Sequence, residues 1–92
     1  MTESERRIQA AQGYVELGLH PEARAELSQL STSAAERPDA LEISALCFMG
    51  EERWAEALPL TQKLCQMEPK EPGGYIHAAY CLHELGQTHE AL

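Results

Sequence analysis

From Thr2 to Leu17 the apolar and polar positions alternate with the helical period, so one face is apolar and the other is charged. Caps and breakers divide the rest of the chain. Thr2 followed by Glu5 resembles a capping box and predicts a helix start. Gly18 predicts its end, because glycine enters the left-handed C-terminal conformation without strain. Pro21 opens a second helix that is expected to reach about Leu30 and to fray through Ser31-Thr32-Ser33. Pro38 opens a third, ending near Gly50. A fourth covers Trp54 to Met67 and stops before Pro69. Pro72 opens a fifth, expected to end at Leu85-Gly86, and Thr88 is the expected N-cap of a sixth.

The pattern repeats. Glu22-Ala23, Glu56-Ala57 and Glu90-Ala91 recur every 34 residues, and the same interval links Ala11, Ala45 and Ala79 without a gap. It also links Tyr14, Phe48 and Leu82, and it joins Pro38 to Pro72. Two small-residue phases follow. A bulky side chain at a helix crossing would push the axes apart, so alanines at fixed phases on both members of a helix pair predict close packing of the pair. Tyr14, Phe48 and Leu82, one turn away, are then expected to fill the space between pairs.

The run from Tyr75 through Ala78-Ala79, Leu82 and Gly86 to Glu90-Ala91-Leu92 resembles the tetratricopeptide pattern of aromatic, small pair, large residue, glycine turn and alanine. The middle unit is similar, through Leu41, Phe48, Trp54, Ala57 and Leu64 to Pro69. The first unit departs from it: Arg7 stands where a large apolar residue is usual, and Ala35 where a closing proline is usual. The middle unit has Glu52 in place of the turn glycine, so a different turn is expected there. The resemblance implies an all-α fold of antiparallel helix–turn–helix repeats stacked in a right-handed superhelix. It makes residues 1–92 one domain, with units at about 4–37 and 38–71 and a truncated third at 72–92.

Composition narrows the partners. Fifteen Asp and Glu against seven Lys and Arg give a net charge of −8, which would repel nucleic acid and an anionic membrane surface. The N-terminus is charged and lacks the apolar core of a secretory signal, and the apolar stretch Ile43 to Met49 is too short to span a bilayer. Cys47, Cys65 and Cys81 form no CxxC and read as reduced thiols. A cytoplasmic location is the expectation.

Little catalytic chemistry is written in the chain. His77, Cys81 and Glu84 share a helix face at ligand spacing, but Cys81 is expected to pack in the core, as its repeat-mate Cys47 should, so no metal is expected. No phosphate-binding loop, nucleophile elbow or dinucleotide fingerprint is present, and neither a catalytic residue nor a cofactor is expected.

The resemblance implies instead that the first helices of the units line a concave groove for a peptide or partner helix. Carried over residue by residue, the groove comprises Ile8, Gln12 and Val15, then Glu42, Leu46 and Met49, then Ile76, Tyr80 and His83. The cations that grip a terminal carboxylate are missing: Ile8, Gln12 and Ile43 stand there, with Glu42 between. In groove character the chain is similar to acidic repeat chaperones of bacterial secretion systems. The expected function is binding of an apolar or basic segment of another protein. The alternatives are a self-assembly module, or the N-terminal regulatory segment of a longer protein. The incomplete third unit is expected either to continue into further repeats or to pair with another copy.

Overall fold

A computed structural model describes residues 1–91, with side chains to residue 86. Among these the only regular elements are helices, and there is no strand: α1 (Glu3–Glu16), α2 (His20–Leu27), α3 (Thr32–Ala35), α4 (Pro38–Gly50), α5 (Trp54–Met67) and α6 (Pro72–Ala91). Thr2 caps α1, its hydroxyl accepting the Glu5 N–H at 3.1 Å. The helix pairs α1/α2 and α4/α5 pack within themselves, α4 also lies on α1 and α2, and α6 packs on α5.

The 34-residue repeat extends to the hydrogen bonds of the turns. After α1, the Gly18 N–H donates to Val15 O at 3.0 Å and the Leu19 N–H to Tyr14 O at 2.8 Å. After α4, the Glu52 N–H donates to Met49 O at 3.0 Å and the Arg53 N–H to Phe48 O at 2.8 Å. Gly18 and Glu52 both take positive φ, 77° and 60°. The middle turn therefore does not differ, as the missing glycine led one to expect. Glu52 adopts the glycine conformation at a steric cost because the helices on both sides are already positioned by packing.

The small-residue phases lie at the crossings. Ala11, Ala23, Ala45 and Ala57 are completely buried. Ile8, Ala11 and Ala23 form one core cluster with Ala40, Ile43 and Cys47, and Tyr14, Val15, Leu27 and Leu30 pack against it. Ile8 is thus a core residue rather than a groove residue, because α4 of the following unit lies against α1 at that point. Ala79 departs in the opposite sense. It is exposed, since no helix covers that side of α6 within the described residues.

Two expected boundaries also move. The second helix ends at Leu27, where the Ser28 hydroxyl donates to Ala25 O at 2.7 Å and competes for a helical carbonyl. The serines beyond do not fray. Ser31 caps α3, accepting the Ala34 N–H at 3.2 Å. The fifth helix does not stop at Gly86; α6 continues helical to Ala91. Glycine inside a helix costs only about 1 kcal/mol relative to alanine, and Gly86 is carried through α6 in that way. The side chain of Thr88, the expected cap, lies outside the described residues.

Candidate functional site

A cleft of about 180 Å³ opens between α1 and α4. Val15, Ile43 and Leu46 form its apolar floor, and Gln12, Glu16, Asp39 and Glu42 its polar rim. Helical spacing builds both layers. On α4, Asp39, Glu42, Ile43 and Leu46 follow the i, i+3, i+4, i+7 spacing and so share one face. On α1, Gln12, Val15 and Glu16 are neighbours across one turn.

Four of the nine expected groove residues, Gln12, Val15, Glu42 and Leu46, meet in this cleft. Ile8 lies beneath it in the core. Met49 is half-buried and outside the lining. Ile76, Tyr80 and His83 are exposed on α6 and do not line it either. The Tyr80 ring leans on Trp54, with centroids 5.4 Å apart. Glu16, Asp39 and Ile43 complete the lining and are absent from the expected set. The i, i+3 spacing of Asp39 and Glu42 in the sequence is the signal that could have found Asp39.

The acidic rim continues beyond this cleft. Glu42 also borders a second hollow between α4, α5 and the start of α6, beside Glu68 and Glu71. His77 Nε2 stands 3.9 Å from Glu42 Oε1 and forms an ion pair when the ring is protonated. These two residues are one unit on from Ile8 and Ile43, which share the core cluster, so an apolar pairing in the first interface is replaced by a polar one in the second. Asp39 is held by Arg37 at 3.0 Å. Cys81 is fully buried, and burial pushes its thiol pKa up. Among the described residues no three of His, Cys, Asp and Glu are placed to hold a metal ion, and no helix is long and apolar enough to cross a membrane.

Away from the cleft, a charge network organises the turn between α4 and α5. Phe48 lies between two guanidinium groups, Arg53 at 4.9 Å and Arg24 at 5.8 Å from its ring centre. Glu51 joins both, accepting from Arg24 at 2.8 and 3.1 Å and from Arg53 at 3.2 Å. Arg53 also grips Glu56 at 2.7 Å. The Arg24 hydrogen bonds hold the Glu51 carboxyl below its usual range, with Arg53 adding to the effect. Glu56 and then Glu51 push the Arg53 pKa up. With every member engaged, this network fixes the geometry of the turn and presents no free charge.

No protein-family model, curated protein or solved structure matches the chain.

Proposed function

We propose that this chain is a tetratricopeptide-type repeat module, with its units stacked in a right-handed superhelical sense, and that it binds a segment of another protein rather than catalysing a reaction. The cleft between α1 and α4 takes a short segment whose apolar side chain is flanked by Lys or Arg. One observation carries this reading: an apolar floor of Val15, Ile43 and Leu46 lies under a rim of Glu16, Asp39 and Glu42. The apolar side chain leaves water on the floor while its cationic neighbours meet the carboxylates. The repeated turn geometry supports the family reading, since stacked equivalent units produce a concave face along their first helices. The cleft is small, so it holds one anchor side chain, and affinity grows with the number of flanking cations.

Titration of labelled peptides, one Lys-Leu-Lys in character, one Glu-Leu-Glu and one Lys-Gly-Lys, tests the proposal. The first binds, the second does not, and the third binds weakly. Leu46→Ala and Glu42→Lys each weaken the first by about tenfold, which is roughly 1.4 kcal/mol. Equal binding of the acidic peptide, or no effect of either substitution, would overturn the assignment.

A further inference from the structure

The exposed side of α6 carries a continuous apolar stripe. Tyr75, Ile76, Tyr80 and Leu82 are 49, 63, 52 and 54% exposed, and Ala79 lies exposed among them. Leu41 and Phe48, one unit before Tyr75 and Leu82, belong to α4, which packs on α5; Leu41 is buried and Phe48 half-buried. The stripe thus has the composition of a face that another helix covers. We infer that a second copy of this chain covers it, α6 pairing with α6 about a twofold axis near Ala79.

Three observations select a second copy. First, the stripe from Tyr75 to Leu82 contains no Asp, Glu, Lys or Arg among its exposed residues, so the net charge of −8 does not set two copies against each other there. Second, Ala79 stands at the middle with larger side chains on both sides. A small residue at the crossing lets two helices approach closely, and in an isologous pair it meets its own equivalent. Third, head-to-tail stacking is opposed by the other end of the molecule. There Arg7 is committed to Glu3 at 3.0 Å and Glu26 at 3.1 Å, and an apolar stripe laid on that end would bury these ions.

The available area sets the strength. Half-exposed side chains of this size offer roughly 100 Å² each, so a pair of stripes buries about 800 Å². A stable interface starts near about 1,200 Å². The dimer is therefore weak and reversible, with a dissociation constant on the order of 100 μM.

Sedimentation equilibrium of the intact chain, from about 5 to about 500 μM, reads the pairing directly. Mass should rise from monomer to dimer across that range. Ala79→Glu keeps a good helix former but places two like charges across the axis, and should leave the chain monomeric with unchanged helical circular dichroism. Ala79→Arg should do the same alone. Mixing the two variants should restore a dimer, because opposite charges then face each other. Leu17→Glu, at an exposed apolar residue that follows α1, a helix with no principal contact to α6, should dimerise as the parent does. A parent that stays monomeric at the highest concentration overturns the inference. So does a dimer that survives Ala79→Glu, which would place the contact elsewhere, and so does failure of the mixed variants to associate.

Discussion

At the scale of single residues, Glu52 and Glu51 lie side by side in the turn after α4 and contribute in opposite senses. Glu52 occupies the left-handed conformation at φ 60° that Gly18 takes at φ 77° in the first unit. Glu52→Gly should raise stability by about 1 kcal/mol and Gly18→Ala should lower it by about as much, both read from chemical denaturation. Glu51, by contrast, holds Arg24 and Arg53 together, and its pKa is depressed by them. Its contribution is therefore complete above the ordinary glutamate value of 4.5 and is lost as pH falls through the lower folded value. Glu51→Gln should remove that part of the acid dependence, which denaturation midpoints measured from neutral to acid pH will show. Neither role was legible beforehand. The sequence pattern marks Glu52 as a missing glycine, but only the surrounding packing shows that the turn forms regardless. The Arg24–Glu51 contact joins residues far apart in sequence and has no periodic signal.

At the scale of the elements, most of the helices could be read from caps and prolines. Pro38 to Gly50 and Trp54 to Met67 stand where the breakers put them. The departures arise where a side chain competes with the backbone, as Ser28 does at the end of α2, or where a glycine is carried through within a helix, as at Gly86. Pro59 lies inside α5 without ending it. It sits in the second turn on the exposed side with Ala55, so the carbonyl it leaves unpaired faces water. The seam between α5 and α6 is set by Gly74. A β-carbon there would lie 3.2 Å from both the backbone nitrogen and the sulfur of Cys65. Gly74→Val should force α6 away from α5 at a cost of roughly 1–3 kcal/mol. Gly73→Ala, next to it in open space, should stabilise by about 0.5–1 kcal/mol through helix propensity. Equal melting temperatures for the two variants would contradict this seam. Among the expected groove positions on α1 and α4, Gln12, Val15, Glu42 and Leu46 line one cleft, Ile8 sinks into the core and Met49 lies outside the lining. Those on α6 face no further helix among the described residues.

Over the whole molecule, the radius of gyration is 13.3 Å, slightly above the roughly 12 Å of a compact domain of this length, in keeping with an α6 that is covered on one side only among the described residues. Two surfaces of different character result, and salt should separate them. Binding of a cationic peptide in the α1/α4 cleft should weaken as ionic strength rises, because screening reduces its attraction to Glu16, Asp39 and Glu42. Self-association through the α6 stripe should hold or strengthen, since screening removes repulsion between two chains of net charge −8. The two titrations, run in low and high salt, should therefore change in opposite directions. The 34-residue interval made the units visible in the sequence. The depth of the cleft was not visible, because it depends on how α4 tilts against α1, and the buried alanines Ala11, Ala23, Ala45 and Ala57 specify proximity without specifying angle.

Cys47 and Cys81 occupy the same phase in successive units, and both side chains are fully buried. Each is therefore a reporter of opening in its own part of the chain. An alkylating reagent reacts with them only when the helix carrying the thiol lifts away, so modification rates measure local opening free energies. α4 is held by α1, α2 and α5, whereas α6 rests on α5 alone among its principal contacts. Cys81 should be alkylated well before Cys47 at neutral pH, with half-exposed Cys65 modified first. The molecule should then be seen to loosen from its C-terminal end inward, giving its repeats a mechanical polarity that their near-identical turns conceal.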